Sequence, residues 1–275
     1  MNRAHRYSKV PEVTAYFWIV KALTTGMGES TSDFLVHHLV PEIAVVLGGI
    51  AFVIALYLQF STDRYVPWTY WLAVAMVGVF GTMAADVLHV GLGVPYIVST
   101  IFYAVVLAIV FKTWYVSEGT LSIHSIRTPP REMFYWAAVL ATFALGTAAG
   151  DLTAVTFGLG YFTSGLLFAA VIAVPAIGYW RYAMNPIVAF WFAYVITRPL
   201  GASFADWLAV SSARGGLGLG TGPVSFVLAA MIAGFVAYLM VTGKDTPAEG
   251  RVPRHREGAR AGRGIADPEL APEEA

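Results

Sequence analysis

Apolar residues run along this chain in eight blocks, near residues 11–34, 41–60, 67–90, 94–115, 132–153, 160–180, 185–210 and 222–242, separated by short polar or Gly/Pro-bearing breaks. A helix of about 20 apolar residues crosses ~30 Å of hydrocarbon at ~1.5 Å per residue. The pattern therefore predicts eight transmembrane helices in an all-α, polytopic helix bundle. Residues 1–10 read as a cytoplasmic N-terminus and 11–242 as the membrane domain. Residues 243–275, rich in Pro, Gly, Arg and Glu with little to bury, read as a disordered cytoplasmic tail.

The blocks repeat. Counting back from an aspartate near the end of each odd-numbered block gives four ungapped matches to [FY]-W-x9-G-x4-D. These are Phe17-Trp18 with Gly28 and Asp33, Tyr70-Trp71 with Gly81 and Asp86, Tyr135-Trp136 with Gly146 and Asp151, and Phe190-Trp191 with Gly201 and Asp206. With only eight Trp in the chain, four in register imply common ancestry of four two-helix units, near 11–60, 67–115, 132–180 and 185–242. Each unit holds two spans, so all four enter the membrane the same way. The units are parallel, with pseudo-symmetry expected about the membrane normal. Units one and four share Gly-x-Ser-x-x-Asp, and units two and three share Gly-Thr-x-Ala and a following Gly-Leu-Gly turn. That points to a pairing of one with four and of two with three.

The first unit, Lys21-x-x-Thr24-Thr25-x-x-Gly28-Glu29-x-x-x-Asp33, resembles a family of bacterial integral membrane proteins built from a repeat of unknown function. The resemblance extends over most of residues 11–240. It implies a multi-spanning membrane protein and carries no established activity. The later units lack the Lys and Glu of the first, so the four are not chemically equivalent.

Composition agrees with the pattern: 57% of residues are hydrophobic and 12% charged, against about 25% charged in soluble domains. The absence of cysteine excludes disulfides and thiolate metal sites. The net charge is zero but unevenly distributed. With the N-terminus inside, Arg3, Arg6, Lys9, Arg64, Lys112, Arg127, Arg131, Arg181 and the basic residues from Lys244 to Arg263 fall in cytoplasmic segments, while the outer loops hold only Arg214. The positive-inside rule then places a multi-pass protein in the cell (inner) membrane with both termini cytoplasmic.

The motif residues invite different readings. Glycine permits close helix packing. The tryptophans, fifteen residues before the aspartates, fit an aromatic belt at the inner interface. The aspartates recur although a central charge costs roughly 2.5–3.5 kcal/mol even on the lenient insertion scale. Helical spacing stacks Lys21, Thr25, Glu29 and Asp33 on one face, and places Arg198 two turns inward of Asp206. A common axis would gather Asp33, Asp86, Asp151, Asp206 and Glu29 as a cation- or proton-binding set, with Thr25, Thr82 and Thr147 as hydroxyl ligands and Lys21 and Arg198 as counter-charges. His89, three residues after Asp86, would add a nitrogen ligand for a metal, and His37 and His38 could widen the site. Such a site should lean toward units one and four. The competing reading makes each aspartate a cap or headgroup-level ion pair, since each lies about a full crossing into its span.

No P-loop, HExxH, GxSxG or paired-Cys motif is present, and residues 215–222 lack the Lys-Ser/Thr ending of a phosphate loop. The reading is a non-enzymatic transporter or channel-like permease for a small cation, divalent or proton-coupled. Its rival is a membrane sensor or scaffold whose tail recruits a partner. A bound metal cation is the one cofactor suggested. The partners implied are the lipid bilayer and a small cation, with a homo-oligomer open to it and no nucleic acid.

Overall fold

The computed structural model describes residues 7–247. Eight long helices follow in order: α1 (Ala15–His38), α2 (Pro41–Phe60), α3 (Pro67–Asp86), α4 (Tyr96–Glu118), α5 (Pro129–Asp151), α6 (Gly160–Tyr182), α7 (Pro186–Ala209) and α8 (Thr221–Thr242). Their starts are written in the sequence: proline opens α2, α3, α5 and α7, where its missing N–H is not needed. Asn185 caps α7 from its side chain and Thr14 caps α1. Gly119 and Gly243 end α4 and α8 in the left-handed conformation.

Seven of these helices are long and apolar enough to cross a membrane; α1 is not. The predicted eight spans are thus seven by composition, because α1 carries Lys21, Glu29 and Asp33 together with Thr24, Thr25, Ser30, Thr31 and Ser32. It is nonetheless an integral part of the bundle. α1, α3, α5 and α7 form a closed inner ring, each packed on two others: α1 on α3 and α7, and α5 on α3 and α7. The even-numbered helices sit outside, each against the first helix of the next unit: α2 on α3, α4 on α5, α6 on α7, and α8 back on α1. The outer helices expose long apolar side chains, including Val46, Ile50 and Val53 on α2 and Ile97, Ile101, Val105 and Ile109 on α4. This is the face a hydrocarbon solvent requires.

Two contacts of the motif close the ring, and both run once around it. At one end the first aromatic of each unit packs on the motif tryptophan of the next. Phe17 lies 5.7 Å from Trp71, Tyr70 5.7 Å from Trp136, Tyr135 6.2 Å from Trp191, and Phe190 5.8 Å from Trp18. Trp71, Trp136 and Trp191 are buried. The tryptophans therefore pack between helices and do not form the interfacial belt that the sequence suggested. Higher up, the motif glycine of each unit faces the residue three before the motif glycine of the next: Gly28 meets Gly78, Gly81 meets Phe143, Gly146 meets Arg198 and Gly201 meets Thr25. At Gly28 a methyl group would lie 2.7 Å from the Gly78 carbonyl carbon, so two backbones touch there.

The described ends of the chain meet at the aromatic end of the ring. The Glu12 amide donates to the Asp245 carbonyl, the Lys9 amide to the Ile126 carbonyl, and the Tyr65 amide to the Ser8 carbonyl. Lys9, expected as a solvated cytoplasmic charge, is 1% exposed and pairs with Glu132 of α5 at 2.5 Å, while Gln59 donates to the same carboxylate. Asp245, expected at the root of a disordered tail, is buried and accepts the Tyr65 hydroxyl. Burial pushes its carboxyl above the usual carboxylate range, with the Tyr65 hydrogen bond acting against the shift. The remainder of that tail, from residue 248, lies outside the described residues.

A Gly28→Ala substitution should destabilise the chain by about 1–3 kcal/mol, because a backbone cannot yield as a side chain does. Gly234→Ala, where an added methyl meets nothing within 4 Å, should be neutral or slightly stabilising. Thermal unfolding in detergent compares the two; equal melting temperatures would remove the glycine contact as the ring's closure.

Candidate functional site

The four inner helices run in parallel, with their aspartates at the end opposite the aromatic ring. Just past the contact glycines, the position after each motif glycine holds Glu29, Thr82, Thr147 and Ala202, and the first three meet by hydrogen bonds. The fourth of these is small, and Arg198, one turn below it on α7, fills the space. Arg198 is wholly buried. Its Nη2 donates to Glu29 Oε2 at 2.5 Å and to Thr147 Oγ1 at 2.8 Å, and also reaches Thr82 Oγ1. Its Nη1 donates to the Thr25 carbonyl at 2.9 Å. The Thr82 and Thr147 hydroxyls in turn reach Glu29 Oε2 at 3.2 and 3.3 Å. The planar fork of arginine reaches four acceptors on three neighbouring helices, α1, α3 and α5, which a lysine could not do.

Gly146 is what admits this side chain: a methyl group there would overlap the Arg198 Cβ and Cγ. Beneath the pair, Lys21 is 1% exposed, and its Nζ has no hydrogen-bond partner. It sits over the rings of Phe143 and Tyr194, at 4.1 and 4.3 Å, with the Arg198 guanidinium on the Phe143 ring at 5.0 Å. Cation–π contact is the stabilisation the site offers that ammonium.

Above the pair, all four motif aspartates lie within electrostatic reach of both Glu29 and Arg198. Asp206 is buried, and Asp33, Asp86 and Asp151 are partly open. The helix changes character at two of them. In units two and three the chain continues from Asp86 and Asp151 directly into π-helical turns, Val87–Gly91 and Leu152–Thr156. α1 and α7 end without one. His89 lies in the first of these turns, with Nε2 3.0 Å from Asp86 Oδ1 and 3.6 Å from Asp151 Oδ2, and the Tyr96 ring packs on its imidazole at 4.4 Å.

The aspartates therefore gather at one end of the inner ring, as the shared register implies. Other candidates stand differently. Glu29 belongs to the Arg198 pair beneath the aspartates. The Thr25 hydroxyl donates to the Ala22 carbonyl at 2.6 Å, so only its backbone serves the site. Thr82 and Thr147 are engaged by Arg198 and Glu29. His37 and His38 are exposed and bond back to the Asp33 and Phe34 carbonyls. Units one and four supply the Glu29–Arg198 pair, and units two and three supply the imidazole cluster. The Lys9–Glu132–Gln59 group was not foreseen; a glutamate in the first turn of an otherwise apolar span was its only trace.

Helix length, hydropathy and the closed ring of repeats together define a multi-pass helical membrane protein. The four units match the family described as Repeat of Unknown Function (DUF347) at residues 16–65, 69–120, 134–185 and 189–245, and the chain belongs to that family. No curated protein matches the chain, and no solved structure does.

Replacing Arg198 by Met should cost about 3–5 kcal/mol, since it strands a buried carboxylate without its partner. Glu29→Gln together with Arg198→Met should recover part of that loss. A double-mutant cycle on thermal unfolding reads the coupling; strictly additive effects would mean that the pair is not a unit.

Proposed function

We propose that this protein is a transporter, or channel-like permease, for a small cation, and not an enzyme, with the aspartate end of the inner ring as its loading site. The observation that carries the reading is the convergence of Asp33, Asp86, Asp151 and Asp206 from four separate units around Glu29 at a partly open end. Five carboxylates face two cations, Arg198 and Lys21. Like charges so placed share protons or recruit a cation. Headgroup-level capping would have spread the aspartates outward among the lipids.

The layers beneath support a barrier within the same ring. An ion leaving the aspartates inward meets the Arg198 guanidinium, then Lys21 among aromatic rings, then the buried Tyr70 and Tyr135 hydroxyls, 2.5 Å apart. At the far end the Lys9–Glu132 pair stitches the segment before α1 to α5. A fixed cation on the path repels a permeating one, so transport requires the Arg198 layer to move or to exchange partners. The membrane frame adopted is eight spans: α1, held among α3, α7 and α8, counts as the eighth despite its polar residues. The repeats then run parallel about the membrane normal in the inner membrane, with the aspartates outside and both termini cytoplasmic, as the basic residues favour.

Asp→Asn at each of the four positions, in chains whose melting shows them folded, should lower cation flux into proteoliposomes at least about tenfold at two or more positions, the equivalent of ~1.4 kcal/mol. Removal of residues 248–275 should leave flux unchanged. Undiminished flux in all four variants would sink the proposal. Loss of the cellular role on truncation, with no flux in the intact chain, would favour the recruiting scaffold.

A further inference from the structure

The His89 cluster has a composition and a position that the acid ring as a whole does not. Asp86, His89 and Asp151 each offer one ligand atom, and the three atoms lie within 4.8 Å of one another. The two π-helical turns follow immediately on the two aspartates concerned, and π-bulges recur at functional sites. On the adjacent inner helix of the third unit, Ala154 takes the equivalent place, three residues after its aspartate, so no second bulky side chain stands there.

Hydrogen bonding alone leaves this group incomplete. One imidazole nitrogen carries at most one proton. Asp86 lies at hydrogen-bond distance from Nε2, whereas Asp151, at 3.6 Å, lies beyond it. The His89 side chain is only 2% exposed, and its other nitrogen, Nδ1, is buried with no partner. When both are ionised, the two carboxylates bring a charge of −2 to a single imidazole.

We propose that Asp86, His89 and Asp151 bind a divalent transition-metal ion of the Mn²⁺, Fe²⁺, Co²⁺ or Zn²⁺ class. Such an ion matches the two negative charges and takes all three ligand atoms at once. Ligands at about 2.0–2.2 Å from a common ion stand a little over 3 Å apart, so small side-chain rotations close the present cluster around it. The imidazole selects a borderline transition metal over Mg²⁺ or Ca²⁺, which prefer all-oxygen shells. Three protein ligands leave positions open, as in sites that exchange what they hold and unlike closed structural ones. Asp86 and Asp151 remain 24% and 18% exposed, so the ion has a way in. The further step, that the metal is cargo, rests on the transport reading above.

Co²⁺ titration of the metal-stripped full chain in lipid nanodiscs tests the site directly, because bound Co²⁺ reports its nitrogen–oxygen shell in visible absorption. One Co²⁺ per chain is expected, with binding weakened by at least the ~10–100-fold that loss of a mere supporting group costs in His89→Ala and Asp151→Asn. Binding in Glu42→Gln, at an exposed carboxylate in the first turn of α2, should stay within about threefold. His89→Gln serves as the second variant if His89→Ala fails to fold. No Co²⁺ spectrum from the wild-type chain, or undiminished binding without His89, overturns the site. Parallel flux measurements with Na⁺, K⁺ and H⁺ separate the two claims. Monovalent flux that depends on Asp86 without Co²⁺ binding leaves a transporter and removes the metal, whereas Co²⁺ binding without any flux keeps the metal site and removes the transporter.

Discussion

Everything in this bundle hangs on how closely four inner helices approach one another. Without a hydrophobic force between helices in lipid, association depends on packing and polar contact. The motif glycine supplies the packing: each one faces the residue a turn below the glycine of the next unit, around the whole ring. The aromatic pair does the same at the other end, with ring centroids between 5.7 and 6.2 Å at all four junctions. A ring closed twice over is rigid enough to hold charges that an isolated membrane helix would not tolerate. That is why α1, too polar to count as a span by hydropathy, can close the ring.

Repetition then creates slots, and the units fill them differently. The slot after the glycine holds Glu29, Thr82, Thr147 and Ala202; the slot three before it holds Thr25, Gly78, Phe143 and Arg198. One cation and one anion thus enter eight equivalent positions, and the remaining six are hydroxyl, small or aromatic. Their arrangement is mutually dependent. Ala202 and Gly146 make the room that Arg198 occupies, Thr82 and Thr147 satisfy the donors that Glu29 alone would leave, and Phe143 receives both Arg198 and Lys21 on its ring. A symmetric ring of four glutamates or four arginines in that layer would repel itself. The departure from symmetry is the condition for burying charge at all.

Much of this was legible in the chain because the repeat carries its own ruler. The helix boundaries, the four units and the convergence of the aspartates follow from hydropathy and register. What stayed hidden was lateral. A tryptophan near the end of a span has the same sequence signature whether it faces headgroups or a neighbouring helix, and only ring closure decides between them. Likewise, spacing placed Thr25 beside Glu29 but could not show that its hydroxyl turns back to Ala22. The π turns left one trace, the Gly-Leu-Gly that units two and three share, which reads equally well as an ordinary loop. Lys9 read as a solvated loop charge because nothing in its neighbourhood announces that Glu132, 123 residues later, awaits it.

The pairing of units now acquires a chemical meaning. Units one and four supply the Glu29–Arg198 pair, deep and bonded to several helices; units two and three supply the Asp86–His89–Asp151 group, shallower and with fewer bonds. A wholly buried ion pair that is hydrogen-bonded to three neighbouring helices is a fixed element of structure, and in the low dielectric around it the penalty for breaking it is high. A group that is half satisfied and partly open is where an external ion gains most by binding. Stacked one above the other in the same ring, the two layers place the proposed metal site over a pair that resists rearrangement, and under the transport reading the single guanidinium sets how far a cation would descend before the ring itself had to rearrange.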